Sequence, residues 1–399
     1  MHPTKNHVCL IAVALQMACS ESPKSLPIQD CPISTEIAYP LSKRPCLAKN
    51  LTWESDIEET ADVIASLGVG AVRTDFLWKK IEPQKGEWDF SHYDKVVDAL
   101  EQRNIEVIPM LGYGVPWASS QTEDDSHYPP DDPADFANFA AQTAQRYENR
   151  IQRFEIWNEP NAGFRFWKPQ IAGDPIAFGE LVLAAEQAIH NVTPQATVIL
   201  GGTFYHQQII PGAITFLQEL IEAHPTIEER IDAVAIHPYS LYPPTAAPED
   251  NTEGQQPIWQ MIANIQQLFP SLPIVVTEYG IPTTDVLNRE TQAAYLERGY
   301  LLALAQGATD VCWYSLQNGE DPDNIEANFG LLNYDGSWSP TTEAFVNLGS
   351  KLSAATSVSR ITSLSAGMFG VHLEGVGSAV WGDGEFCNTS LSEKVTWFP

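Results

Sequence analysis

The sequence predicts a (β/α)8 TIM barrel with a short C-terminal β-like extension, and three observations predict it. Apolar runs of strand character alternate with amphipathic helical stretches over roughly 300 residues, the pattern of a parallel α/β architecture. The repeat recurs about every forty residues, the length of one strand, one helix and their loops. Polar residues fall directly after several of the apolar runs, where a barrel gathers strand ends into one mouth.

Taken in order, residues 1–19 read as a signal peptide. Lys5 precedes an apolar run from Val8 to Ala18 that is too short to span a bilayer. The run ends in Leu15-Gln16-Met17-Ala18-Cys19, resembling a lipoprotein signal that would anchor the chain by lipid at Cys19. Gln16 stands where such signals usually carry leucine, so lipidation and ordinary cleavage are both left open. Either reading exports the chain, as a secreted, periplasmic or envelope-anchored protein. Residues 20–50, rich in Pro, Ser and Lys, read as a linker or cap leading into the barrel. The first strand is expected before residue 51, near Thr35 to Ala38.

The barrel is expected over 51–355. Ile57, Ala61, Ile64 and Leu67 lie at helical spacing, followed by a strand at Ala71 to Phe76. Tyr93, Val96, Val97 and Leu100 mark the next helix, Glu106 to Leu111 a buried strand, and Phe136, Phe139, Ala140 and Tyr147 a further helix. Strands are then expected at Ile151 to Trp157, Thr197 to Gly201, Ala233 to His237, Ile274 to Thr277 and Val311 to Leu316. Helices separate them at Ile176 to His190, Ile214 to Ala223, Trp259 to Leu268, Thr291 to Ala305 and Thr342 to Leu348. Residues 356–399 change to Gly-punctuated β-like runs, too few for an independent domain.

Composition narrows the function. With 51 acidic against 22 basic residues and a net charge of -29, long-range attraction to nucleic acid or an anionic membrane is disfavoured. Beyond the leader lie Cys31, Cys46, Cys312 and Cys387, too scattered for a zinc cluster or a disulfide scaffold. Cys31 and Cys46 are expected to close a short loop, and Cys312 to be merely buried. No metal or other cofactor is expected, since the His-x-His and clustered carboxylates of a metal-dependent barrel hydrolase are missing.

The residues after the strands are Arg73 in AVRTDF, Asn158 and Glu159 in IWNEP, His237 and Tyr239 in AIHPYS, Glu278 in IVVTEYG and Trp313 in VCWYS. Either glutamate alone can be a solvated strand end. Together, two carboxylates facing each other across one mouth are what hydrolysis of a glycosidic bond needs. One must be protonated to serve the leaving oxygen, and the other ionised to attack the anomeric carbon. Arg73 and Tyr239 are suited to hold Glu278 ionised, Asn158 to bond a sugar 2-hydroxyl, and Trp313 to stack a sugar ring. The plainer readings are a structural salt bridge for Arg73, a satisfied core histidine for His237 and ordinary packing for Trp313.

These residues, with VRTDFLWKKIEPQKGEWDFSHYDKVVDAL, GVPWAS, DPADFANFAAQTAQRY, FEIWNEPN, ILGG, TEYGIPT, TQAAYL, WYSLQNG and FGLLNYDGSWSP, resemble glycoside hydrolase clan A. Within it, the resemblance is to family 39 and its bacterial exopolysaccharide-cleaving relatives, and it covers roughly Leu51 to Leu348. It implies a retaining double displacement on β-linked glycans, with Glu159 as acid/base, Glu278 as nucleophile, Asn158 at the 2-hydroxyl, and Arg73 and Tyr239 beside the nucleophile. Two departures stand out: the first strand is poorly matched, and the chain after Ala355 is too short for a β-sandwich beside the barrel. Family 5 enzymes have a similar set but usually add a histidine near the third strand, where this chain holds Tyr113 and Trp117, which favours family 39. Trp78, Trp117, Trp167 and Tyr242 are expected to line subsites of an endo-acting enzyme on a polysaccharide or oligosaccharide substrate. The competing class is a non-catalytic glycan-binding barrel.

Overall fold

The computed structural model describes residues 33–41, 44–121, 125–206, 212–239, 242–252 and 254–399. The expected signal peptide, the lipid site at Cys19 and Cys31 lie outside the described residues. Eight parallel strands close a barrel in chain order: β2 (Cys46–Ala48), β3 (Ala71–Leu77), β4 (Glu106–Gly112), β5 (Arg153–Ile156), β6 (Thr197–Phe204), β7 (Ala233–His237), β8 (Ile274–Tyr279) and β9 (Ala308–Tyr314). Each expected strand after the first overlaps an observed one.

The first strand is corrected to Cys46–Ala48, within the expected linker. It is only three residues long and too short to show a pattern, but it pairs with β3 on one side and β9 on the other. Upstream, Thr35 bridges Ile361 and β1 (Tyr39–Pro40) pairs antiparallel with β10 (Ser357–Arg360). Residues 33–41 of the expected cap are therefore an edge of the C-terminal sheet, whose order is β1, β10, β11 (Met368–Leu373), β12 (Gly377–Gly382) and a last strand, Thr396–Phe398. That sheet lies against the barrel helices, with the Arg360 guanidinium 4.1 Å from the Trp259 ring and Trp381 Nε1 donating to Glu249.

The disulfide expectation is also corrected. Cys46 pairs with Cys312, not Cys31, because β2 and β9 are neighbours and set these two residues directly opposite each other. The bond crosses the seam where the barrel closes, over a sequence separation of 266. A crosslink closing so long a loop removes denatured-chain entropy on the order of 5 kcal/mol in the chain-entropy model.

Side chains of successive strand residues point to opposite faces, and the barrel interior is built from alternate positions. Its middle is small and apolar, with Ala48, Ala71, Ile108, Ile199, Ala233, Ala235 and Val275 around the disulfide. Below, Arg153 binds Glu106 and Asp310. Helix starts follow capping chemistry legible in the sequence. Asp132-Pro133 opens the helix Pro133–Arg146, Asp174-Pro175 opens Pro175–Val192, and Ser339-Pro340 opens Pro340–Ala354 with a capping box. Each cap contributes about 1 kcal/mol. Among the described residues no helix is long and apolar enough to cross a membrane.

Candidate active site

At the C-terminal end of the strands the interior turns polar. Arg73, two residues beyond Ala71 on β3, is buried and clamps Glu155 of β5 through Nε at 2.7 Å and Nη2 at 3.3 Å. Burial would push the Glu155 carboxyl up, but the charge and hydrogen bonds of Arg73 more than offset it and leave it lowered. Glu155 also accepts from the Gly202 N–H and the Thr277 hydroxyl, each at 3.0 Å. Neither Glu155 nor Thr277 was among the expected site residues. The legible signal was a charge in phase with the barrel interior inside an otherwise apolar strand.

Arg73 extends from this anchor to the site. Its Nη2 donates to Asn158 Oδ1 at 2.7 Å, and Nη1 lies 3.7 Å from Glu278 Oε2. Because arginine only donates, the Asn158 amide oxygen must face it, which turns the amide nitrogen to the cavity that Asn158 lines. The Tyr239 hydroxyl donates to Glu278 Oε1 at 3.2 Å. Burial raises the Glu278 carboxyl, His237 and Arg73 pull it down, and the Glu159 charge pushes it up, for a net rise.

Thr277 fixes the histidine. Its single hydroxyl proton goes to Glu155, so its oxygen accepts from His237 Nε2 at 3.1 Å, and that nitrogen carries hydrogen. His237 Nδ1 then faces Glu159 Oε1 at 2.7 Å, with one proton between them. Burial alone would lower this imidazole, but Glu278 and the bond to Glu159 raise it above the ordinary value. A side chain at Gly202 would strike the His237 ring at 2.2 Å, which is why ILGG ends in glycine at that position.

The backbone of IWNEP is bent to present this group. Trp157 and Glu159 adopt positive φ, 70° and 44°, a region that non-glycine residues rarely occupy and that typically costs about 1–3 kcal/mol each. The Glu159 N–H to Gly202 O bond, the Trp157 N–H to Leu111 O bond and the Trp157 indole bond to Phe166 O hold them there. Ligand atoms of Glu159, His237 and Glu278 lie within 4.8 Å of one another, the sole such trio among the described residues with a donor set a metal could use. The His237 and Glu159 atoms are committed to each other and Glu278 to Tyr239 and Arg73, so each group has its partners within the protein.

Trp313 is corrected. It is fully buried, faces outward from β9 onto Tyr279 and donates Nε1 to Phe329 O. Strand parity decides this: Cys312 points into the barrel, so Tyr314 does also, and Tyr314 is the aromatic residue that lines the cavity. Of the four aromatics expected to form subsites, Trp78 and Trp167 are buried, and half-buried Trp117 packs edge-on against Trp78 and bonds Glu82 O. Only Tyr242 lines the cavity. Phe164 and Phe166, on the single helical turn Gly163–Phe166, and Phe204, at the end of β6, line it as well without a legible pattern.

The cavity holds about 400 Å³, within the range of small-ligand sites. Its mouth is crossed by side chains from different loops. Arg165, after the fourth barrel strand, lies 3.5 Å from Glu326, after the eighth, and Tyr242, after the sixth, bonds the same carboxylate. Fourth and eighth strands are opposite one another in an eight-stranded barrel, so these contacts span the opening.

Comparison with known proteins agrees with this geometry. A family model described as Cellulase (glycosyl hydrolase family 5) matches residues 39–320. A β-xylosidase of Geobacillus stearothermophilus is 26% identical over 243 residues, covering 53% of this chain and 45% of that protein, so the match spans less than half of the relative's length. A family 39 glycoside hydrolase from the gut symbiont Bacteroides cellulosilyticus WH2 superposes with a TM-score of 0.71 at 27% identity, over 86% of this chain and 71% of the other. A family 39 β-xylosidase from Caulobacter crescentus shares the fold at 17% identity, with a TM-score of 0.63 over 87% of this chain and 79% of the other.

Proposed function

Since the chain belongs to the cellulase family, glycosyl hydrolase family 5, of clan A, with structural relatives in family 39, we propose that it hydrolyses β-linked glycans with retention of configuration. The observation that carries this reading is the spacing of the two carboxylates. Oxygens of Glu159 and Glu278 approach within 4.8 Å, near the roughly 5–5.5 Å of retaining enzymes and short of the 6.5 Å or more that an inverting water requires.

Glu278 is the nucleophile. Arg73 and Tyr239 direct two donors at it, so the carboxylate form is stabilised for attack on the anomeric carbon. Glu159 is the acid/base, and the proton held between it and His237 is the one delivered to the leaving oxygen. Water then enters, loses its proton to Glu159, and displaces the sugar from Glu278. The Asn158 amide meets the 2-hydroxyl, and Tyr314 supplies the ring platform assigned from sequence to Trp313.

The same site favours short glycans or chain ends over the endo action expected from sequence. Three of the four aromatics that supported open subsites are packed away, and the contacts of Glu326 with Arg165 and Tyr242 span the opening. Two of the relatives carry the name β-xylosidase, in keeping with a small glycone. Export of the chain remains part of the proposal, supported by the apolar leader.

The experiment is release of reducing sugar from β-glucans, xylans, mannans, galactans and bacterial exopolysaccharides and from their short oligomers, with wild type, Glu159→Gln and Glu278→Gln. Loss in both variants with folding intact supports the assignment. Monosaccharide as the first product supports chain-end action, and a ladder of oligomers overturns it. Binding without release above the variants would move the non-catalytic reading to first place.

A further inference from the structure

Asp75 has no part in the chemistry above, yet it lines the same cavity. It stands two residues beyond Arg73 on β3, hence on the same inward face and one rung nearer the mouth. Its Oδ2 accepts from Asn50 Nδ2 at 2.8 Å, and among the described residues nothing bonds Oδ1. The hydroxyl of Tyr113, which also lines the cavity, has no bonding partner among the described residues either. Burial pushes the Asp75 carboxyl up to about 6, with Arg73 pulling it down and the Glu155 charge pushing it up. A half-buried carboxylate on the cavity wall with one oxygen unused carries a desolvation cost that a ligand's hydroxyl groups would relieve.

From this placement, and resting on the glycosidase reading, we infer that Asp75, oriented by Asn50 and assisted by Tyr113, is the specificity-determining residue that grips the glycone at its edge away from the anomeric carbon. Arg73 fixes Asn158 at the 2-hydroxyl and stands beside the nucleophile, so the next rung outward meets the hydroxyls at C3 and C4. An ionised carboxylate only accepts, and its two oxygens suit a pair of adjacent hydroxyl donors. The glycone is therefore a neutral sugar with free hydroxyls at those carbons. A uronic acid is repelled by like charge, and a sugar already substituted at C4 is excluded from the grip, which for a 1,4-linked glycan makes Asp75 a reader of the chain end.

The test compares kcat/KM for aryl β-glycosides of the preferred neutral sugar with their 3-deoxy and 4-deoxy counterparts, in wild type, Asp75→Ala and Asp75→Asn. The last variant keeps the side-chain volume and an acceptor for Asn50. Wild type is expected to lose roughly 10- to 100-fold on at least one deoxy substrate, the size of a hydrogen bond to a charged group. Asp75→Ala is expected to fall by a similar factor on the parent sugar and to show no further loss on the deoxy compound. Asp75→Asn is expected to retain less than a tenth of the wild-type discrimination and to turn over the aryl β-glucuronide faster than wild type. Equal discrimination in wild type and both variants, or none in wild type, overturns the assignment of Asp75 while leaving the glycosidase reading intact. Failure of wild type to hydrolyse any aryl glycoside or glycan overturns that reading and this one with it.

Discussion

The two ends of the barrel each hold an arginine among carboxylates, and they differ in what is left over. At the N-terminal end Arg153 bonds Glu106 at 2.7 and 2.8 Å and Asp310 at 2.7 Å, so its fork is saturated by two acids. At the C-terminal end Arg73 saturates Glu155 and Asn158 and only then approaches Glu278, at 3.7 Å. Burial and the neighbouring Glu159 charge outweigh the pull of His237 and Arg73 and leave Glu278 raised, while its Arg73-clamped neighbour Glu155 is lowered. One cluster closes on itself and serves the fold. The other uses a satisfied ion pair as a rigid mount that brings one guanidinium nitrogen and the Tyr239 hydroxyl to Glu278, a carboxylate raised and held in place as a nucleophile requires.

This contrast breaks most sharply at the nucleophile. Glu278→Ala should lower kcat/KM by about 10⁴-fold or more in steady-state kinetics, with an unchanged circular-dichroism spectrum, because it removes the covalent step and not a structural partner. Arg73→Lys comes next. Losing the planar fork should cost about 10²-fold in kcat and also lower the unfolding midpoint, since buried Glu155 loses its bidentate partner. Tyr239→Phe should cost roughly tenfold, the size of one hydrogen bond to a charged group, and should move the acidic limb of the pH profile. The sign follows from Glu278 acting as an anion. Its raised pKa places the limb above the ordinary glutamate value, and removing a donor that favours the anion moves it to still higher pH. Arg153→Lys should have the smallest effect on turnover, within about twofold, while lowering thermal stability by about 1–2 kcal/mol as its two-acid fork is lost. A comparable loss of turnover in Arg153→Lys and Arg73→Lys would erase the distinction between the two ends.

The barrel was readable because each strand after the first is long enough to show an apolar run and helices such as Ile57–Ser66, Ser91–Glu101 and Pro133–Arg146 carry a stripe, with an Asp-Pro or Ser-Pro start in three cases. β2 was not, since three residues carry no period and its place is set only by its two neighbours. The disulfide was missed for the same reason: Cys46 meets Cys312 only once the eighth strand returns beside the first. At the site, Arg73, Asn158, Glu159, His237, Tyr239 and Glu278 were legible as polar residues ending apolar runs, and the structure brings these six together. Trp313 and Tyr314 are adjacent in sequence, and only strand parity tells which one faces inward. Glu155, Thr277 and Asp75 lie inside strands, where a polar residue reads as an interruption until other strands and loops of the closed barrel supply its partner.

The most direct test is mass spectrometry of the protein after incubation with 2,4-dinitrophenyl 2-deoxy-2-fluoro-β-glycosides of the common neutral sugars, followed by peptide mapping. A fluorosugar bound covalently to Glu278, and absent in Glu278→Gln, is the predicted result. A label on Glu159, or hydrolysis of the parent glycosides with no label and with inverted anomeric configuration, would contradict the assignment of Glu278 as nucleophile.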